Sequence, residues 1–262
     1  MTTEDSTLTE NHDAVVRDSF SRQTELFTGE KALFARYSAA TDLWFGPVGP
    51  DMIVLDVACG AAHTAEQAAP HVRQVVGVDM TPALLETGAQ RLREKGIDNV
   101  LLLEGDASAL DFLDASFDVV FCRAALHHMP HPEKAIAEMA RVCKPGGRVV
   151  VNDMIAVSAH VRDAFDALHK VIDPSHVRVY LADELGAEIA ANVGPIETAV
   201  LMEPLQIGVE YIFTDVADRD AARAALQAEL SGGPATGFEP TRQGEEVLVT
   251  FHTALVGATR AS

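Results

Sequence analysis

Three aspartates carry the chemistry written most plainly in this chain. Asp56 opens Asp-Val-Ala-Cys-Gly-Ala-Ala (56–62), Asp79 closes Gly-Val-Asp (77–79), and Asp106 lies in Glu-Gly-Asp-Ala (104–107). Each stands at or just past the end of a short apolar run. A carboxylate at such a point grips ribose hydroxyls or accepts from an exocyclic amine. Gly60, flanked by small residues that include Ala58, lets a ligand approach the backbone closely. A pyrophosphate would want a G-x-G-x-x-G loop and a helix N-terminus free of nearby carboxylate. Here the loop has one glycine and begins on an aspartate, so the acidic rim suits a cationic nucleoside without phosphate. Asp56 and Asp79 each have a plainer reading as helix N-caps; it is their joint order with Asp106 that favours a ligand.

The histidines are the second group. His127 and His128 follow the fourth apolar run, at the expected rim of a ligand cleft, and one of them is expected to line it as a general base. The alternative, a cap or a bond to a backbone carbonyl, is equally open for the pair. His131 extends the run to His-His-Met-Pro-His. That spacing matches no zinc motif, so no metal is expected. His63 could touch a ligand carboxylate or simply start a helix. His176, Arg178 and Tyr180 would share one face of an extended segment, with a structural turn favoured. Cys59, Cys122 and Cys143 read as small buried thiols rather than nucleophiles.

Alternating strands and helices must position these residues. Met52–Ala58, Val75–Asp79, Val100–Leu103, Phe117–Cys122 and Arg148–Asn152 read as strands, the first a continuous apolar run fit for burial on both faces. Thr64–Pro70, Pro82–Lys95 and Pro132–Cys143 read as the helices between them. Gly96 sits where a left-handed cap would end the second of these. Lys144-Pro145-Gly146-Gly147 reads as a turn. Strand–helix repetition implies right-handed crossovers. The fold expected is α/β, a Rossmann-like doubly wound sheet, mostly parallel with an antiparallel edge strand, plus a helical N-terminal cap. Glu246–Val256 is the closing strand expected at that edge. Ala159–Lys170, Ala182–Ala191 and Ala217–Leu230 look helical, Glu197–Met202 strand-like, and Ser231–Glu245 reads as a loop or flexible lid. Residues 1–46, with Phe20, Phe27, Phe34, Tyr37, Trp44 and Phe45, would form the cap. Residues 47–262 would form the main domain, with insertions around 155–180 and 204–245 that shape the second ligand's site.

Composition narrows the partners. A formal net charge of −19 over 262 residues repels phosphate backbones, so nucleic acid and anionic membranes are disfavoured. No apolar run approaches the ~20 residues of a membrane span, and Met1–Glu10 lacks the features of a secretory signal. Three sparse cysteines suggest a reducing cytoplasm. A homodimer is left open.

Through LDVACGAAH, VVGVDMTPALLE, EGDASALDF, FDVVFCRAALHHM and RVCKPGGRVVVND, about residues 50–155, the chain resembles the class I S-adenosylmethionine-dependent methyltransferases. Within them it is most similar to the small-molecule branch that includes ubiquinone and menaquinone C-methyltransferases. The resemblance implies S-adenosyl-L-methionine as cofactor. Asp56, Ala58 and Gly60 would shape its methionine pocket, Asp79 would take the ribose hydroxyls, and Met80 would pack on the adenine. Asp106 would hold the adenine amino group beside Ala107, and Arg123 would lie near the methionine part. Ala58 and Ala62 occupy two places where the family usually has glycine. The activity implied is in-line methyl transfer to carbon, oxygen or nitrogen of a small acceptor. Two alternatives use the same site: a non-methylating reaction such as a cyclisation, and a non-catalytic ligand-binding scaffold. A nicotinamide-dependent reductase ranks below both, for want of a phosphate site.

Overall fold

The computed structural model describes residues 3–22, 45–213 and 218–261, without the side chains of 3–10. Five parallel strands form the first part of one sheet: β1 (Ile53–Val57), β2 (Gln74–Asp79), β3 (Val100–Glu104), β4 (Phe117–Arg123) and β5 (Cys143–Ile155). Their order is β3-β2-β1-β4-β5, continued by β9 (Glu246–Thr259) and β6 (Ile196–Leu201). β1 and β4 are apolar because helices cover both sheet faces; Val54, Leu55, Val57, Val120, Phe121 and Cys122 are all fully buried. The helices following β1, β2 and β4 are α2 (His63–Ala68), α3 (Pro82–Glu94) and α4 (Pro132–Val142). α4 is amphipathic and buries Ala135, Ile136, Met139, Ala140 and Val142. Gly96 has φ +68° just beyond α3, the left-handed stop its position predicts.

Three expectations change. The closing strand β9 is antiparallel, pairing Arg148 with Thr259 through Ile155 with His252, but it lies one strand inside the edge. Its second half, with Ala254, Val256 and Ala258 buried, needs cover on both sides. β6, exposed along most of its length, takes the edge instead, antiparallel to β9. The glycine- and proline-rich stretch from Ser231 is a loop as far as residue 240, as read, but it is packed down and leads into a strand. Phe238 is buried and stacked on Phe165 at 4.5 Å, Thr236 N donates to Glu229 at 2.8 Å, and β8 (Thr241–Gln243) pairs with β9. Finally, Lys144–Gly147 falls inside the span of β5, as an irregularity with Gly146 at φ +76° and a register shift opposite Phe117 and Val119.

The remaining elements are α1 (Thr3–Arg22), α5 (Ala159–Ile172), α6 (Ala182–Asn192), β7 (Leu205–Gly208), α7 (Val209–Ile212) and α8 (Arg219–Leu230). A second core, built on Phe165, Leu168, Phe213, Phe238 and Phe251, joins α5 and α8 to the first half of β9. Of the aromatics expected in the cap, Phe20 packs edge-on against His128 at 5.0 Å. Phe45 is buried in the sheet core on Phe121 at 4.8 Å. Phe27, Phe34, Tyr37 and Trp44 lie outside the described residues. No helix among the described residues is long and apolar enough to cross a membrane.

Candidate active site

The strand order reverses direction between β1 and β4, which opens a crevice at the carboxyl ends of the strands. The loop after β1 turns through three left-handed residues, Ala58 (φ +54°), Gly60 (φ +52°) and Ala62 (φ +61°). A left-handed alanine costs on the order of 1 kcal/mol. At Ala58 and Ala62, where the resemblance implies glycine, the backbone conformation as well as the space would favour it. Asp79 ties this loop down. Its Oδ2 accepts from Gly60 N at 2.7 Å and its Oδ1 from Thr81 N at 2.8 Å. Asp56 Oδ2 accepts from Ala65 N at 3.0 Å, in the first turn of α2. Asp56 thus satisfies one amide in the first turn of α2 from outside the helix, whereas Asp79 bonds the N-cap residue of α3, Thr81, and not the helix itself. These bonds leave carboxylate lone pairs to spare, since an ionised carboxylate has about four acceptor sites.

Burial dominates both groups. It pushes the Asp56 carboxyl well up, against the Ala65 N–H, with Asp79 adding to the rise and the positive charge of Arg123 opposing it. Asp79 is raised for the same first reason, opposed by the Gly60 and Thr81 donors. Arg123, the last residue of β4, is therefore electrostatically part of the Asp56 site. Met80 is half-buried directly after β2. Gly105 N donates to Asp79 O at 3.1 Å, tying the β3 end to the β2 end. Asp106 is exposed in a turn, with its carboxylate on Ser108 N at 2.7 Å and Ser108 Oγ at 2.8 Å, and Ala107 packs half-buried on the main core. Asp56, Gly60, Asp79 and Arg123 are brought together. Asp106 stands one strand further along and makes its own local turn.

His127 and His128 occupy a short 3₁₀ turn (Leu126–His128) after β4. His127 is only 2% exposed, so it lies beneath the rim rather than on it. Its Nδ1 is 2.5 Å from Asp153 Oδ1. Asp153 is buried near the end of β5 and also accepts from Leu126 N at 2.6 Å, Ala125 N at 3.2 Å and Met154 N at 2.6 Å. Burial works against its ionisation, but the neighbouring His127 and the Met154 and Leu126 donors hold it below the usual carboxylate range. His128 Nδ1 meets Ser175 Oγ at 3.0 Å, and its carbonyl meets His12 Nε2 at 2.8 Å. Burial, then the neighbouring His127, pushes His128 down to about 3.

Two further histidines complete a buried cluster. His169 of α5 and His176 stack at 4.2 Å, and their rings lie 6.1 Å and 5.8 Å from that of His127. His176 Nε2 meets Asp166 Oδ1 at 2.7 Å. Burial lowers both, His169 most strongly. The 174–180 segment is docked by Val177 N on His127 O at 2.8 Å. His176 is thus part of a packed network, and Tyr180 bridges to Ile155. His131 is bonded to Glu133 at 3.2 Å, and His63 starts α2 beside Arg91 at 3.2 Å. No group of histidine, cysteine and carboxylate side chains among the described residues could hold a metal. Cys59, Cys122 and Cys143 are free thiols that burial pushes up, Cys143 to about 11.

Sequence reasoning missed Asp153, Asp166, Ser175 and His169. Asp153 follows Val-Val-Val-Asn at a strand's carboxyl end, the same signal that exposed Asp56 and Asp79. His169 lies four residues after Phe165 on the buried face of α5, a pattern indistinguishable from core.

A β3-β2-β1-β4-β5 sheet with carboxylates at the ends of β1 and β2, and an antiparallel strand beyond β5, is a Rossmann-like sheet with a ligand crevice at its carboxyl ends. Residues 55–151 match the methyltransferase domain family. YcgJ of Bacillus subtilis, an uncharacterized methyltransferase, is 36% identical over 174 residues, 66% of this chain and 69% of that one. The chain belongs to this methyltransferase family, the class I S-adenosylmethionine-dependent enzymes. The ubiquinone/menaquinone biosynthesis C-methyltransferase UbiE of Burkholderia mallei is 38% identical over 122 residues. That match covers 45% of this chain and 50% of UbiE, so this chain spans half the length of the quinone enzyme. The crystal structure of Bacillus subtilis YcgJ matches with a TM-score of 0.74 at 28% identity, over 87% of this chain and 99% of that one.

Proposed function

We propose that this enzyme methylates a small-molecule acceptor, with the cofactor held along the ends of β1, β2 and β3. The observation that carries the reading is the Asp79 carboxylate. It is buried at the end of β2, holds the Gly60 turn, and keeps acceptor capacity for a pair of ribose hydroxyls. S-adenosylmethionine supplies an electrophilic methyl group on a sulfonium. Around it, Asp56 and Arg123 hold the charged methionine part, Ala58 and Gly60 leave room for its chain, Met80 covers the adenine, and Asp106 with Ala107 meets the adenine edge. The work of the protein is to align donor and acceptor and to exclude water, and alignment alone can supply a large share of the acceleration. The acceptor lies over the β4 and β5 ends, where the buried His127 meets it from beneath the rim as general base and His128 shapes the wall. A net charge of −19 favours a neutral or cationic acceptor over nucleic acid. Three free, largely buried thiols fit a reducing cytoplasm.

The test is transfer of tritium from methyl-labelled S-adenosylmethionine into a solvent extract of cells. Label should enter organic-soluble small molecules with the native protein and not with Asp79→Ala. Label confined to protein or nucleic acid, or none at all, would contradict the reading.

A further inference from the structure

Nothing in the cofactor side explains the geometry at Asp153. Its carboxylate is 1% exposed and gathers four donors: Ala125 N and Leu126 N on Oδ2, His127 Nδ1 and Met154 N on Oδ1. The backbone donors alone are no argument for a charge, because an amide oxygen could accept them. The imidazole is different. An ionised carboxylate only accepts, so Nδ1 of His127 must donate. A neutral imidazole has one N–H, and its Nε2 is then left with the lone pair.

We propose that Asp153 is a positioning residue for methyl transfer: it fixes His127 in the Nδ1–H tautomer and so makes Nε2 the base that takes the acceptor's proton. The inference rests on the reading that His127 faces the acceptor. The surroundings suit it. The 126–128 turn is clamped by β5 through Asp153, by α1 through His12 and by the 174–180 segment through Val177 and Ser175. The ring therefore has little freedom to reorient. The other rings in the cluster, His128, His169 and His176, are kept uncharged by burial and by one another. Asp166 serves His176, and Asp173 serves Ser175 at 2.6 Å and Ser19 at 3.3 Å. Of these three carboxylates, Asp153 is the one hydrogen-bonded to His127, at 2.5 Å.

The step balances. The acceptor's proton passes to Nε2 and the freed electron pair bonds the methyl carbon. The carbon–sulfur pair stays on sulfur, which becomes a neutral thioether, and the imidazolium later gives its proton to solvent. Asp153 remains ionised throughout and stabilises the transient imidazolium, as the carboxylate does in a serine-protease triad.

The experiment uses the full chain with ¹⁵N-labelled imidazoles, saturated with S-adenosylhomocysteine. Two-bond ¹H–¹⁵N spectra are recorded from pH 5 to 9, with the His127 signals assigned by their loss in His127→Gln. The native protein should show a protonated Nδ1 and an unprotonated Nε2. Asp153→Asn should reverse or mix that tautomer. In the tritium assay it should also slow transfer by roughly 10²–10⁴-fold, with homocysteine-product affinity unchanged within about twofold. A native Nε2–H tautomer overturns the inference even if the variant fails to fold, and so does an unchanged spectrum or transfer rate in Asp153→Asn. If the native protein transfers no label, the functional reading fails first. If it transfers label through the wrong tautomer, this inference alone fails.

Discussion

The two ends of the crevice are built from different kinds of contact. Beside β1 and β2 the polar bonds are short in sequence: Asp79 to Thr81, Asp56 to Ala65 and Gly60 to Asp79 span 2, 9 and 19 residues. Beside β4 and β5 they are long: His127 to Asp153, His128 to Ser175, His12 to His128 and Ser19 to Asp173 span 26, 47, 116 and 154. The cofactor end can thus form with its own βαβ unit, whereas the acceptor end exists only once α1, β5, α5 and the 174–180 segment have met. Their electrostatics are opposite too. Burial makes the cofactor-side carboxylates harder to ionise and the acceptor-side histidines harder to protonate. One end comes prepared for a cation, while the other keeps its histidines uncharged around two Asp–His bonds, His127 to Asp153 and His176 to Asp166.

The sharpest way to break this contrast is to loosen only the acceptor end. Phe238→Ala removes a fully buried ring stacked on Phe165, beside His169 at 5.8 Å. It should cost about 3–5 kcal/mol in urea unfolding. Affinity for S-adenosylhomocysteine, measured well below the transition, should stay within about threefold. An equal loss of affinity would show that the two ends are one unit.

Acid should act next most strongly. The folded values of His128, His169 and His176 lie below the ordinary 6.5, with His128 at about 3. The unfolded chain therefore takes up protons first, so stability is full above about pH 7 and falls as pH drops through 6.5. One unit below that value the expected loss from His128 is about 1.4 kcal/mol, and His169 and His176 add to it in the same direction. Asp56 and Asp79 run the other way: with folded values raised, their contribution fades as pH rises through those values. Urea unfolding at pH 7.5 and 5.5 checks the sign. His169→Phe should narrow the gap between the two, and an unchanged gap would remove that histidine from the account.

The smallest effect belongs to the cofactor end. Ala58→Gly relieves a left-handed alanine that is only half-buried and should stabilise the fold by up to about 1 kcal/mol. Destabilisation in thermal unfolding would mean that the methyl packs better than its backbone strain costs.

The same contrast decided what could be read from the chain beforehand. β1, β2 and β4 announce themselves as short, mostly apolar runs, and Gly96 ends α3 because the residue that stops a helix is local to it. The aspartates at 56 and 79 follow from position alone. The inward place of β9 does not, because it depends on which of two strands, 196–201 or 246–259, has two apolar faces to cover. Nor does the ordering of residues 231–245: their glycines and prolines describe the turns, while Phe238 is fixed by a partner on α5. His127 and His128 were visible as a pair, but their separate environments were set by Asp153 and Ser175, distant in sequence. At Ala58 and Ala62 the sequence shows only alanine in place of an expected glycine, and the left-handed φ angles come from the structure alone.

The most direct test of the central claim is calorimetric titration of the full chain with S-adenosylhomocysteine, native against Asp79→Ala. A cofactor site at the ends of β1 and β2 predicts micromolar binding by the native protein, about 8 kcal/mol. It also predicts at least a hundredfold loss in the variant while thermal unfolding shows it folded. Native-like affinity in Asp79→Ala, or no binding by the native protein, would contradict it.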